Sequence, residues 1–420
     1  MELTTQFFES LLGIKFPWHI TRVATDKKHG RVDLYIEHAP HIEFCCPDCK
    51  KFFSIYDHSP EREFRHLNVF QYKTFLHVRV PRVKCPTHGV QQIVHGLADP
   101  NATVTYEFER FILELQQECS IQSICRLFDT DWHLCQMLQE RAVARGLQRK
   151  PHAIPERIGV DEKAFARGHK YETLVYDIDN GTVAAVIDNR EQESLEAYYR
   201  TFTPQQRERV KAIAMDMWDP YIAATKAYIP DAEKKIVFDK YHVTRLVTKA
   251  VDDVRKKECK ELLERGNDIL KGTKYLWLWN NENIPDYRRE EFERLRSADL
   301  KVYRAYAIKE NLRNLWSYDS AGWMRNFFND WYRWATHCRL QPMVNAAKTL
   351  KSHIENIVTY AKHHITNALG ESLNSKIEKV KRLACGYRNR AHYKVAILFH
   401  CGGLDLFPRR SDIALQIIGP

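Results

Sequence analysis

The stretch Arg157-Ile158-Gly159-Val160-Asp161-Glu162-Lys163-Ala164-Phe165 decides how the chain is read, because it has the pattern of a β-strand that carries a carboxylate into an otherwise apolar setting. Downstream, Val210-Lys211-Ala212-Ile213-Ala214-Met215-Asp216-Met217-Trp218 repeats the device: a short apolar run ends in one acid, and Asp219-Pro220 then opens a helix. Two carboxylates at neighbouring strand ends offer hard oxygen ligands for divalent cations. That combination points to phosphodiester chemistry.

Around these two runs the order of elements is legible. Residues 158–165, 171–179 and 182–188 are predicted as three strands, the last two joined by the turn Asp179-Asn180-Gly181. A helix over 193–201, a strand over 210–217, a helix over 221–228 and a strand over 235–238 follow. Three strands in a meander, then alternating helix and strand, is the order of an RNase H-like fold, in which the first and fourth strands are neighbours. Asp161 and Asp216 are therefore expected side by side, with Glu162 on the opposite side of its strand.

A third carboxylate is less determined. Leu369, Leu373, Ile377, Val380 and Ala384 mark one face of a helix, and Asn367, Glu371, Asn374, Glu378 and Lys381 the other. Glu371 suits a metal ligand and equally an ordinary solvated glutamate; Glu162 and Glu378 are its rivals. Between Asp216 and Glu371 the chain carries a long charged segment of helical period whose part over 251–360 holds six of the nine tryptophans, Trp277, Trp279, Trp316, Trp323, Trp331 and Trp334. It reads as a mostly helical insertion in which these rings pack the interior rather than stack on bases. Lys376, Lys379, Lys381, Arg382, Arg388 and Arg390 then form a basic run that would neutralise phosphates beside the carboxylates.

Upstream, a helix over 4–12 and a hairpin turning at Asp26-Lys27-Lys28-His29-Gly30 carry no chemistry of their own. Cys46-x-x-Cys49 and Cys85-x-x-His88 do: three thiolates and one imidazole are the number and softness that tetrahedral zinc takes. Cys45 is a substitute for Cys46 that the spacing disfavours, and His58, His66 and His77 are rival ligands that read as surface or satisfied core residues. Four protein ligands leave no open position, so a structural Zn²⁺ is expected. From 104 to 147 the period becomes helical, with a short helix, the turn Asp129-Thr130-Asp131 and a longer helix bearing Arg141, Arg145, Arg149 and Lys150. This is a helix-turn-helix pattern, expected to contact DNA through those four basic residues.

The composition agrees. With 64 Lys and Arg against 54 Asp and Glu, the 420-residue chain carries a formal charge of +10, which favours a polyanionic partner. No apolar run is long enough for a membrane span and no secretory leader is visible, so a soluble, unexported protein is expected. The 11 cysteines, odd in number and scattered, fit a reducing compartment. The fold class is accordingly multidomain α+β, divided into a β-rich zinc-finger domain over 1–100, a helix-turn-helix domain over 101–150, and an RNase H-like catalytic core. The core begins over 151–250, is interrupted by a helical insertion over 251–360, resumes in a helical region over 361–408, and a tail follows over 409–420.

One family shares these motifs. The Cys46/Cys49/Cys85/His88 set, Gly159-Val160-Asp161-Glu162, Met215-Asp216-Met217-Trp218-Asp219-Pro220-Tyr221, Phe238-Asp239-Lys240-Tyr241-His242-Val243 and Asn367-Ala368-Leu369-Gly370-Glu371-Ser372-Leu373-Asn374-Ser375 together resemble the DDE transposases of bacterial insertion sequences, in the ISL-three family. Tyr241 stands where many relatives have phenylalanine. The resemblance implies that Asp161, Asp216 and Glu371 hold Mg²⁺ (or Mn²⁺) and that the site cleaves DNA at the element's ends and joins the freed 3′-hydroxyl to a target. It implies double-stranded DNA bearing terminal inverted repeats as partner, at least a homodimer on paired ends, contact of Lys376, Lys381 and Arg382 with DNA, and a bacterial cytoplasmic, nucleoid-associated protein. Asp239 and His242 fit either a helix cap or the edge of the site. The rivals are a catalytically inactive DNA-binding regulator and an RNase H-like nuclease that only hydrolyses.

Overall fold

A computed structural model of the chain describes residues 2–99, 101–166, 170–365 and 368–408. Asn367 and the tail from 409 lie outside the described residues. The chain divides into two compact units, residues 1–150 with the segment from Leu404, and residues 151–403.

The first unit opens with α1 (Glu2–Leu12) and eight strands: β1 (Trp18–Asp26), β2 (Arg31–His38), β3 (Glu43–Cys45), β4 (Phe52–His58), β5 (Arg62–Val69), β6 (Tyr72–Val78), β7 (Pro81–Cys85) and β8 (Gly89–Gln92). They form two four-stranded sheets, ordered β1-β2-β6-β5 and β3-β4-β7-β8. Alternation along β2 buries Val32, Leu34 and Ile36 against Leu76, Val78 and Phe64 of the neighbouring strands. The hairpin turn between β1 and β2 is held by the Asp26 carboxylate, which accepts the backbone N–H groups of Lys28 at 2.9 Å and His29 at 3.0 Å.

Three helices follow, α2 (Tyr106–Glu118), α3 (Ile121–Phe128) and α4 (Trp132–Arg149). Each starts at a side-chain cap: Thr105, Ser120 and Asp131 accept the backbone N–H of Phe108, Ser123 and Leu134. Asp129, in the left-handed conformation at φ 46°, ends α3 and turns the chain into α4. The basic residues of α4 have partners within this unit. Arg141 and Arg145 both pair with the Glu109 carboxylate of α2, which is buried, and Arg141 also reaches Asp99 at 3.3 Å. Arg145 donates to the Leu406 carbonyl at 2.7 Å, while Arg149 pairs with Asp405 at 3.3 Å and donates to the Phe407 carbonyl at 2.7 Å. Arg141 and Arg145 neutralise an interior acid, and Arg145 and Arg149 pin the returning segment 404–407. Gly146 makes that docking possible, since a Cβ there would meet the Leu404 side chain at 2.7 Å.

The second unit is built on β9 (Arg157–Ala166), β10 (Lys170–Asp177), β11 (Thr182–Asp188), β12 (Ala212–Met215) and β13 (Ile236–Phe238), ordered β11-β10-β9-β12-β13. The first three form an antiparallel meander; β12 runs parallel to both β9 and β13. On one face lie α5 (Gln192–Arg200), the short α6 (Pro204–Glu208) beyond it, α7 (Asp219–Tyr228), the short α8 (Ala232–Lys235) and α9 (Lys240–Leu263). The chain continues through α10 (Lys274–Leu278), α11 (Asp286–Arg296), α12 (Lys301–Leu312), α13 (Ala321–His337), α14 (Gln341–Ser352), α15 (Ile354–Val358) and α16 (Tyr360–His363). These helices share one continuous core with the sheet, from Ile158 and Ile213 through Val247 and Val251 to Trp277 and Trp331. Trp277 and Trp331 are fully buried, as core residues should be, and Trp323 and Trp334 are exposed.

The opposite face of the sheet is covered by α17 (Ala368–Leu383) and α18 (Arg390–Cys401). Leu373 and Ile377 of α17 and Tyr393 and Ile397 of α18 pack on Leu174 and Tyr176 of β10. Among the described residues, no helix is long and apolar enough to cross a membrane.

Candidate active site and zinc centre

The zinc ligands sit in two β-hairpin turns. Cys46 and Cys49 lie between β3 and β4, Cys85 ends β7, and His88 precedes the left-handed Gly89 at the start of β8; antiparallel pairing of β4 with β7 brings the turns together. All four ligand atoms lie within 4.8 Å of one another. Cys46 Sγ and His88 Nδ1 are 3.7 Å apart, Cys49 Sγ and Cys85 Sγ 3.7 Å, and Cys85 Sγ and His88 Nδ1 3.5 Å. A tetrahedral ion with usual Zn–S and Zn–N bonds has edges of about 3.5–3.8 Å, so the donor set is spaced for zinc. Burial pushes the Cys85 thiol up, but the backbone N–H groups of Thr87 and His88 and the imidazole outweigh it and bring it down to about 6. A thiol so placed is ready to ligate as thiolate.

His58, His66 and His77 do not join this centre. His58 stacks on His38, and His66 is buried with Nδ1 2.8 Å from the Thr105 hydroxyl. His77 bonds Asp33 at 2.7 Å beside Glu63. That second cluster already contains the Arg31 guanidinium, which pairs with both acids.

The carboxylate site is set by strand register. Ala214 pairs with Gly159 and Ile213 with Ile158 in the parallel ladder, and the two isoleucines share the core on the α5–α7 side. Ala214 and Gly159 therefore face the other way, and two residues further on Asp216 and Asp161 continue that face at adjacent positions. Asp161 also pairs with Leu174, whose side chain packs under α17 and α18. Glu162, one residue on, faces the opposite side and bonds Arg190 at 3.2 Å.

Three groups hold the two acids. Asp161 Oδ1 accepts the N–H of Glu162 at 2.7 Å, and Oδ2 accepts Asn374 Nδ2 of α17 at 2.8 Å. The Asn374 carbonyl oxygen in turn accepts the Tyr176 hydroxyl at 3.1 Å. On β9 two residues beyond Asp161, Lys163 pairs with Glu378 at 3.1 Å and so anchors the next turn of the same helix. Asp216 Oδ1 lies 2.7 Å from His242 Nε2, its close ionic partner. His242 stands in the first turn of α9, which Asp239 caps by accepting the N–H of Tyr241 at 2.6 Å.

Electrostatics follow from this crowding. Burial pushes the Asp161 carboxyl up to about 6; the Asp216 charge adds to the rise, while the Glu162 N–H and His242 oppose it. Burial pulls His242 down, but Asp216, Asp239 and Asp161 outweigh it and hold the imidazole above its ordinary value. Two neighbouring carboxylates form a hard-oxygen donor set that fits a divalent cation.

Glu371 lies in the exposed first turn of α17, one turn before Asn374. Its carboxylate does not close with Asp161 and Asp216 into a group within 4.8 Å. Of the basic run, Lys376 and Arg382 are exposed, whereas Lys381 is half-buried and donates to the Ala164 carbonyl at 3.0 Å. Asn374 and the pairing of His242 with Asp216 were not foreseen from sequence. The available signals were the three-residue spacing of Asn374 from Glu371 and the position of His242 just past a strand next to β12.

Comparison with known proteins adds the family. Residues 158–397 match the model DDE_Tnp_ISL3, described as transposase, and residues 42–88 match the zinc-finger of transposase IS204/IS1001/IS1096/IS1165. The transposase for insertion sequence element IS1001 of Bordetella parapertussis is 26% identical over 400 residues, 94% of this chain and 98% of the relative. The transposase for insertion sequence element IS1557 of Mycobacterium tuberculosis (strain CDC 1551 / Oshkosh) is 27% identical over 394 residues, 87% of this chain and 88% of the relative. The first family match alone spans more than half of the sequence and contains both strand-borne aspartates, and the second spans all four zinc ligands: the chain belongs to the ISL3 family of DDE transposases.

Proposed function

We propose that the five-stranded sheet and its helices are an RNase H-like catalytic core in which Asp161, Asp216 and Glu371 hold Mg²⁺ (or Mn²⁺) for cutting DNA at the ends of the encoding insertion sequence and joining the freed end to a target. The observation that carries this reading is the parallel pairing of β9 with β12, whose register aligns Asp161 with Asp216 on the face that α17 covers. The meander followed by two parallel strands is the sheet order that such a core has.

Divalent ions bound to these carboxylates would supply an activated water or 3′-hydroxyl and stabilise the leaving oxygen. The protein's own groups do the rest. Asn374 and the Glu162 N–H fix both oxygens of Asp161, so that carboxylate enters the reaction already oriented. His242 lies against Asp216 and, when protonated, offsets the charge of the two adjacent acids. Glu371 supplies the third carboxylate from α17, and Lys376 and Arg382 on the same helix neutralise phosphates of the bound strand.

The three helices α2, α3 and α4 serve as a helix-turn-helix that, with the zinc ribbon, recognises terminal inverted repeats in double-stranded DNA. With Arg141, Arg145 and Arg149 engaged internally, that recognition falls to exposed residues of α3 and α4 such as Gln122, Arg126 and His133, with Lys150 at the end of the helix. Pairing two ends calls for a homodimer. The test is cleavage and strand transfer on labelled linear DNA carrying the element's own terminal repeats, with Mg²⁺, comparing wild type with Asp161→Asn, Asp216→Asn and Glu371→Gln. Loss of both steps in all three with end binding intact supports the triad. A wild type that binds ends but never cuts gives the site to a regulator; hydrolysis without joining gives it to a nuclease; activity in Glu371→Gln alone removes Glu371.

A further inference from the structure

On the side of β9 opposite Asp161, the second unit forms an open cleft of about 390 Å³ between the loop after β11 and the start of α7. Ligand sites commonly range over ~300–1,000 Å³, so the space suits one small planar group. Two aromatic rings, Tyr171 and Trp218, stand in its lining. The Arg190 guanidinium lies 4.4 Å from the ring centre of Tyr171 and 4.9 Å from that of Trp218. Glu162 accepts from Arg190 at 3.2 Å, and Trp218 Nε1 donates to the Arg190 carbonyl at 3.1 Å. The indole is thus held at its polar edge while the residue remains 37% exposed. Asn189, in the left-handed conformation at φ 65°, swings the chain from β11 into this loop; asparagine is among the few residues that accept that conformation readily.

The location is pointed. Trp218 is two residues beyond Asp216, and Tyr171 pairs with Ala164, three beyond Asp161, so the cavity stands at the same end of β9 and β12 as the carboxylates. Ligands of open α/β sheets bind at that end. The lining also says what kind of ligand. Among the described residues, Glu191 and Glu193 line the cavity, and Arg190, the cation lining it, already has Glu162 as counter-ion. Against these described residues a phosphate would meet net negative charge. A neutral aromatic ring would meet the indole, the phenol and a guanidinium plane, the surfaces on which unstacked bases lie.

We infer that this cavity receives one unpaired base of the DNA strand adjacent to the bond that is cut, stacked on Trp218. The inference rests on the transposase reading above and extends it to how the strand is gripped. Extruding a base positions the flanking phosphate over the carboxylates, and the aromatic rings replace the stacking that the base loses.

The test uses the full zinc-loaded chain and linear DNA carrying the element's terminal repeat, with 2-aminopurine at each position flanking the cleavage point in turn. Binding is read by fluorescence in Ca²⁺ and cutting in Mg²⁺, for wild type, Trp218→Phe and Trp218→Ala. In wild type one position alone changes its 2-aminopurine signal on binding; Trp218→Phe keeps that change and Trp218→Ala loses it. Cleavage by Trp218→Ala falls about 5- to 150-fold, the range commanded by one stacked base. Binding of the internal part of the repeat stays within twofold, which reports that the variant is folded. An abasic substitution at the responsive position lowers wild-type cleavage by a similar factor and has no further effect on Trp218→Ala. Cleavage by wild type that is indifferent to Trp218→Ala and to every abasic position overturns the base pocket and leaves the transposase reading standing. A wild type that leaves the repeat uncut overturns both.

Discussion

Asp161→Asn separates what the site costs from what it does. In the metal-free protein, burial together with the Asp216 charge holds the Asp161 carboxyl at about 6 against an ordinary 3.8. A carboxyl raised on folding keeps its proton more tightly in the folded state. Its stability penalty is therefore absent below pH 3.8, grows as the pH rises toward 6 and is complete above it. At roughly 1.4 kcal/mol per pH unit, the full penalty is about 3 kcal/mol. The substitution removes the charge but cannot accept at both positions where Asp161 now accepts, from the Glu162 N–H and from Asn374. One hydrogen bond is lost, at about 1 kcal/mol. Asp161→Asn should therefore abolish cleavage yet stabilise the metal-free chain by about 2 kcal/mol at pH 8, with the gain shrinking as the pH is lowered toward 5. Urea unfolding followed by tryptophan fluorescence reads this directly, because seven of the nine tryptophans lie in the catalytic unit. Zinc is kept and Mg²⁺ omitted; adding Mg²⁺ should then raise the wild type and leave the variant unmoved. A variant less stable than wild type at pH 8, or a difference that ignores pH, would refute the electrostatic account of the site.

Other expectations follow from named contacts. Asn374→Ala strips Asp161 of its cross-helix partner and should weaken Mn²⁺ binding, read by electron paramagnetic resonance, about 10- to 100-fold without altering DNA-end binding. Glu109→Ala leaves the Arg141 and Arg145 charges beside an emptied interior position and should destabilise the first unit by about 3–5 kcal/mol, visible as lost proteolytic resistance within residues 1–150. Cys85→Ser should lower zinc content from one equivalent to well below it by mass spectrometry. In wild type, zinc retention should weaken as the pH falls through about 6, where the Cys85 thiolate takes up its proton.

The parts of the fold legible in sequence were those written in local period. The strands around Asp161 and Asp216 alternate or end as buried strands do, and the paired Cys-x-x-Cys and Cys-x-x-His knuckles need no tertiary knowledge to be recognised as a donor set. The basic helix was legible, but its internal partners were not. Arg145 and Arg149 continue the face of α4 on which Leu138 and Ala142 are buried, and that phase pointed inward; what sequence could not supply was Glu109, thirty-two residues before Arg141, waiting there as the counter-ion. Asn374 escaped for the same reason. Its partners, Asp161 and Tyr176, lie about two hundred residues away, and only the docking of α17 on the sheet turns an unremarkable amide into a brace for the site. The helical segment after α9 was legible as helical, but its sharing a core with the sheet depends on side chains such as Val247 and Trp277 meeting across that boundary.

Helix α9 gives that shared core a practical meaning. Near its start His242 faces Asp216, and further along Glu258 accepts the N–H groups of Lys301 and Val302, each at 2.7 Å, at the start of α12. Sixteen residues at 1.5 Å each set these two attachments about 24 Å apart on one rigid rod. The helical segment is therefore no removable cassette. A truncation that discarded it would unseat Glu258, bare the valines along α9 and fray the rod toward the turn that holds the imidazole, so a minimal catalytic fragment of this enzyme has to carry the whole length of the second unit.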